Sequence, residues 1–246
     1  MNDSLAVRKR SRALHRKNRS QGHGFLRGLE LDIVEHLEFF QAFIREPASV
    51  GALSPSSRAL ALAMIDGFAL HQAETIVELG AGTGAFTGLI LERVGKNTTF
   101  FALELDRIHA RGLKRRFPRL TVYNDSAERM LDYLTLHHSP KADYIVSGLP
   151  WANISPETQD RIMEAILASL AAHGVFSTFA YVHARWLPKA RQFRRALEER
   201  FAQVEISRVI WRNLPPAFVY RCSQARAELN PAPSRMRSSR PDPHGS

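Results

Sequence analysis

A chain of 246 residues with 44% apolar residues suffices for one domain with one core and tails. Its single cysteine, Cys222, excludes an internal disulfide and argues against a cysteine-based metal site, so no metal is expected; no apolar run approaches the ~20 residues that span a bilayer. The net charge of +10 sits at the ends, with +7 in residues 1–28 and +2 in 223–246, which leaves the span 29–222 close to neutral.

Residues 1–28, with Arg8-Lys9-Arg10 and Arg16-Lys17, read as a basic mobile arm that solubilises the chain or meets anionic lipid or nucleic acid. No apolar segment follows the basic region, so a secretory signal is not expected and a cytoplasmic location is. Ile33, Leu37, Phe40 and Ile44 recur at helical spacing over 29–46, with Glu30, Asp32, Glu35 and Glu38 opposite. Ser54 followed by Pro55 is an N-cap with proline at the first helical position, opening a helix to about Ile65. Residues 29–70 thus form an N-terminal helical segment.

Strand and helix then alternate. Strands are expected at 75–79, 98–104, 120–123, 143–148 and 174–181, and helices at 84–94, 106–116, 126–136, 156–171 and 189–201. Strands near 203–210 and 217–222 close the set, joined through Asn213-Leu214-Pro215-Pro216 as an antiparallel pair at the edge. This alternation implies an α/β fold with a mostly parallel seven-stranded sheet and helices on both faces. Residues 71–222 are the catalytic domain, and 223–246, rich in Pro, Ser and Arg, read as a disordered tail.

Ligands of such sheets bind at the carboxyl ends of the strands. The first strand ends in Glu78-Leu79-Gly80-Ala81-Gly82-Thr83-Gly84, an acid running into alternating glycines that let a ligand approach the backbone. This turn resembles the first motif of the Rossmann-like, class I S-adenosylmethionine-dependent methyltransferases. The second strand ends in Glu104, about 20 residues past the glycines, where a ribose-binding carboxylate belongs; Asp106, two residues on, is the rival ribose ligand or the cap of the following helix. The third ends at Asp125-Ser126, candidates for the adenine amine or for the cap of the next helix. The fourth runs into Ser147-Gly148-Leu149-Pro150-Trp151, the position that faces the methyl group in this fold. It compares with the Asn-Leu-Pro-Tyr motif of nucleobase amino-methyltransferases, but Gly148 lacks the acceptor side chain. Ser147 or backbone carbonyls would receive the amine, and Trp151 would offer its face to a cation. The fifth strand ends with Tyr181 and, four residues on, Arg185, a phenol and a guanidinium that would converge on an anionic headgroup.

Several segments together resemble the bacterial phospholipid N-methyltransferases and the related ornithine-lipid N-methyltransferases. They are Phe39 to Ile44 with Pro47, Gly51-Ala52-Leu53-Ser54-Pro55-Ser56, the Glu78–Gly84 turn, Glu104, Ser147-Gly148-Leu149-Pro150, Phe179-Ala180-Tyr181 and Asn213-Leu214-Pro215-Pro216-Ala217. The resemblance covers roughly residues 36–222 and neither tail. It implies S-adenosylmethionine as cofactor and the amine of a membrane lipid as acceptor, with Tyr181, Arg185, Ser54 and Phe40 on the substrate side. It also implies a monomer reversibly attached to an anionic membrane surface. A competing expectation is an RNA adenine N6-dimethyltransferase, for which the basic arm and Gly148-Leu149-Pro150-Trp151 speak and the glycine itself speaks against; another small amine acceptor is the third.

Overall fold

The computed structural model describes residues 55–226. Helix α1 (Pro55–Met64) is followed by strand β1 (Thr75–Leu79), α2 (Thr87–Leu91), β2 (Thr99–Leu103), α3 (Arg107–Arg116), β3 (Thr121–Tyr123), α4 (Met130–Leu136), β4 (Ala142–Ser147), α5 (Pro156–Ser169), β5 (Leu170–Tyr181), α6 (Pro188–Arg200), β6 (Phe201–Ile206) and β7 (Ala217–Ala225). The strands form one sheet in the order β3-β2-β1-β4-β5-β7-β6. The first five pair in parallel, and β7 lies antiparallel between β5 and β6. The antiparallel pair expected from sequence is present, with β6 rather than the last strand at the edge.

The central strands are continuous apolar runs because both faces are covered. All five residues of β1 are buried, Thr75 and Glu78 among them. Val77 and Leu79 belong to one core with Met130, Leu134, Ile162, Ile166 and Leu197 from α4, α5 and α6. Ile76 points the other way, into a core with Leu60 and Met64 of α1 and Leu89 and Ile90 of α2. Each such side chain contributes roughly 1.5–3 kcal/mol on burial. Helix α1 is tied to the sheet by the Ser177 hydroxyl, 2.7 Å from the Met64 carbonyl, and by Arg221 to the Ala63 carbonyl at 2.8 Å.

Local signals set most helix starts. Asp106 caps α3 by accepting from the Ile108 and His109 N–H groups, and Lys114, Arg115 and Arg116 occupy its last turn, where the helix dipole favours cations. Ser155 caps α5, with Pro156 at its first position. The expected helix at 84–94 shortens to Thr87–Leu91, because the glycine turn extends further. The expected helix over 126–136 divides into a 3-10 turn, Ala127–Arg129, and α4. Strand β5 starts four residues early, at Leu170 directly after α5. A register shift against β4 falls there, where a Cβ on Gly174 would lie 2.9 Å from the Ala142 carbonyl oxygen.

Candidate active site

The carboxyl ends of β1, β2 and β4 meet through two interlocked turns. Gly80, Gly82 and Gly84 have φ of 66°, 54° and 86°, the left-handed region that favours glycine. The Gly80 N–H donates to the Leu103 carbonyl at 2.8 Å, and the Gly148 N–H to the Leu79 carbonyl at 2.8 Å. A Cβ on Gly148 would lie 2.6 Å from the Gly80 carbonyl oxygen, and one on Gly80 would lie 2.8 Å from a Leu149 methyl. Gly148 is therefore a packing requirement of the first turn.

Glu104 is held across the glycine turn. One carboxylate oxygen accepts from the Gly82 N–H at 2.7 Å, the other from the Asp106 N–H at 2.9 Å. Each oxygen keeps a second lone pair for a ligand hydroxyl. Glu78 is wholly buried beneath the same turn. Its Oε2 accepts from the Thr87 hydroxyl at 2.7 Å, whereas Oε1 is buried without a hydrogen-bond partner. Burial pushes this carboxyl from 4.5 up to about 8, the Thr87 hydrogen bond opposing and the Glu104 charge adding to the rise. An orphaned buried oxygen is costly, and it suits a cationic or hydrogen-bond-donating ligand entering the turn.

At the end of β3 the two candidates divide their work. Ser126 caps the turn by accepting from the Glu128 N–H, and Asp125 does not cap. Asp125 accepts from the Tyr133 hydroxyl at 2.6 Å and the Ser126 N–H at 2.8 Å, with Arg129 at 3.3 Å. The Tyr133 hydrogen bond, chiefly, holds its carboxyl below the usual range. Tyr133 stacks on Tyr123 at 3.9 Å, so an aromatic pair stands beside this acid.

The expectations for the fourth and fifth strand ends need correction. Ser147 is fully buried, with its hydroxyl accepting from the Leu149 N–H at 3.4 Å inside the turn and its carbonyl from the Thr178 hydroxyl at 3.2 Å, so its side chain is not exposed to an acceptor. Trp151 offers no open face: it is 4% exposed, stacks on Phe193 at 4.8 Å, and donates from Nε1 to the Thr178 hydroxyl at 2.9 Å. Gln159 fixes its turn by donating to the Trp151 and Ile154 carbonyls. Gly148 and Leu149 are half-buried and Pro150 is exposed, so the backbone of this turn is what remains at the surface. Tyr181 and Arg185 stand in different surroundings. Tyr181 is buried with Ala217 and Val219 and stacks on His183, while Arg185 is exposed over the Trp186 ring at 4.8 Å. The turn at Val182–Trp186 rotates the fourth residue outward. Burial pushes the Tyr181 phenol well above its ordinary value. Phe40 and Ser54 lie outside the described residues.

Thr87, Tyr133, Thr178 and Gln159 are the site-supporting residues that sequence reasoning missed. Each is an ordinary polar residue on an apolar helix or strand. Only the Thr87 spacing, nine residues past Glu78 and three past Gly84, was a usable local signal.

The sheet order, the glycine turn over a buried acid and the acids closing β2 and β3 define a class I S-adenosylmethionine-dependent methyltransferase. Known structures share the fold. A TehB-like SAM-dependent methyltransferase from Corynebacterium glutamicum ATCC 13032 superposes with a TM-score of 0.53 at 16% identity, over 78% of this chain and 98% of that one. A spermidine synthase in complex with the transition-state analogue AdoDATO superposes with 0.55 at 13% identity, over 70% and 62%. No family model matches the chain. In sequence, an ornithine lipid N-methyltransferase of Singulisphaera acidiphila is 30% identical over 187 residues, 75% of this chain and 93% of its own length. The chain belongs to the family of that enzyme, the S-adenosylmethionine-dependent lipid N-methyltransferases.

Proposed function

We propose that the protein methylates the headgroup amine of an ornithine lipid, working at a membrane surface. The observation that carries the headgroup is the 30% identity to an ornithine lipid N-methyltransferase across 93% of that enzyme. Among the described residues no helix is long and apolar enough to cross a membrane.

The residues present fit the cofactor. Gly80 to Gly84 supply a backbone cradle, Glu104 the ribose acceptor, Asp125 with the Tyr123–Tyr133 pair the adenine side, and the Glu78 carboxyl a negative charge beneath the cradle. S-adenosylmethionine supplies a methyl on a sulfonium, which is already a good leaving group. The protein's own part is then chiefly alignment: it holds the acceptor nitrogen in line and in its neutral form, because an ammonium has no lone pair. The turn from Gly148 to Pro150, locked against Gly80, sets the floor on which the amine rests. Its backbone carbonyls and solvent water are the acceptors for the departing proton.

The test is label transfer from methyl-labelled S-adenosylmethionine to vesicles of ornithine lipid or phosphatidylethanolamine, and to structured RNA. Label in ornithine lipid is expected. Label in phosphatidylethanolamine alone reassigns the headgroup, and label in RNA alone overturns the lipid reading.

A further inference from the structure

Two turns leave the carboxyl end of the sheet side by side. The first, Val182–Trp186, follows β5; the second spans 207–216 between β6 and β7. They are joined by the Val182 N–H to the Pro216 carbonyl at 2.9 Å, and by Ile210, which bridges Ala217, itself paired with Tyr181. Ala184 and Leu187 from the first turn and Ile210 from the second enter the same core cluster. The backbone of both turns is therefore anchored.

What they hold outward is apolar. Trp186 is 72% exposed, Trp211 74% and Leu214 80%. Trp211 and Leu214 are not fraying. Buried Asn213 between them donates to the Pro215 carbonyl at 2.7 Å, and its N–H to the Ile210 carbonyl at 3.1 Å. Exposed indoles on a pinned turn mark an interaction site more than scattered surface apolar residues do. The surrounding charge is of one sign. Arg185, Arg208 and Arg212 are exposed, and neither 182–197 nor 206–216 contains an Asp or Glu.

We infer that Trp186, Trp211 and Leu214, ringed by Arg185, Arg208 and Arg212, form a surface that seats the enzyme on an anionic lipid membrane with the carboxyl end of the sheet facing it. Tryptophan settles at the headgroup level, where its ring is partly apolar and its N–H stays wet. Each arginine near an anionic leaflet adds an attraction that salt screens. The docking face lies on the same end as the glycine turn and the Gly148–Pro150 turn, so docking brings the headgroup layer to the site. The inference rests on the lipid reading above and gives it a surface.

The test uses the full chain and phosphatidylglycerol vesicles, which are anionic and carry no amine, so binding is read apart from turnover. The chain has three tryptophans, and the third, Trp151, is buried. Emission is expected to shift to shorter wavelength on vesicle addition and to be quenched by acyl-brominated lipid. Trp186→Ser with Trp211→Ser should weaken vesicle partition about tenfold or more, leaving S-adenosylmethionine affinity and transfer to a water-soluble short-chain acceptor unchanged. Arg208→Glu with Arg212→Glu should weaken it at low salt and much less at high salt. Leu136→Ser, an exposed leucine at the far end of α4, should change nothing. Undiminished partition of both double variants overturns the surface even if lipid is methylated. Vesicle binding lost in the variants, with no lipid methylated by the parent, upholds the surface and removes the reading it served. Indoles already shielded from iodide in the free monomer, a dimer dissolved by the tryptophan variant, or quenching by RNA and not by vesicles would each assign the face to another occupant and overturn the inference.

Discussion

Thr87 Oγ1 donates a 2.7 Å hydrogen bond to Glu78 Oε2, tying the first turn of α2 to the tip of β1 beneath the glycine turn. Both residues are fully buried. Removing the hydroxyl strips the buried carboxyl of its side-chain hydrogen bond and leaves it only the Thr87 backbone N–H, at a cost of about 1–3 kcal/mol. Thr87→Val is expected to lose about tenfold or more in S-adenosylmethionine affinity by calorimetry, while Thr87→Ser keeps it. Equal affinities for the two variants would remove Thr87 from the positioning role.

Glu78 also predicts a pH dependence. Its folded value, about 8, lies above its ordinary 4.5, so the folded state binds this proton more tightly than the unfolded state. The stability of the free protein therefore falls as pH rises from about 4.5 to about 8 and is level above that, as far as this group decides it. A cationic ligand favours the carboxylate, so binding below about 8 must release a proton. Affinity for S-adenosylmethionine should rise from about pH 6 to about pH 8, with calorimetric heats that differ between phosphate and Tris buffers at neutral pH. Identical heats in both buffers would show that no proton leaves. Glu78→Gln should remove both slopes.

Gly148 predicts a steric effect. A Cβ there meets the Gly80 carbonyl oxygen at 2.6 Å, a backbone atom with little room to retreat. Gly148→Ala should part the two turns, lower stability by about 1–3 kcal/mol and cut transfer more than it cuts folding. A variant with normal kcat/KM would mean that the turns adapt without moving the site. Gly148→Asn should not create activity on adenine in RNA, for the same reason.

Trp151 predicts the reverse balance. It stacks on Phe193 and bonds Thr178 in the interior. Trp151→Phe keeps an aromatic ring but loses the N–H bond and part of the buried indole volume, so a lower Tm worth about 1–3 kcal/mol is expected with KM for the lipid unchanged. A raised KM at normal Tm would return the indole to the substrate side.

The central strands and the helix caps were legible because their determinants are local. A strand buried on both faces is a run such as Thr75-Ile76-Val77, and Asp106 announces a helix within three residues. The glycine turn was legible for the same reason, since left-handed backbone selects glycine at each position separately. The acids ending β1, β2 and β3 followed from the strand order that the alternation implies.

Sequence by itself thus determined the alternating α/β architecture, the acids and glycines at the strand ends and the family. Only the tertiary structure decided how those ends are used. It placed Phe193 over the Trp151 indole, buried Tyr181 while leaving Arg185 exposed, set β7 inside β6, and left Trp186 and Trp211 exposed on two joined turns. Those outcomes depend on which surfaces of distant elements pack together, and burial of a side chain is a property of its neighbours in space rather than of its neighbours along the chain.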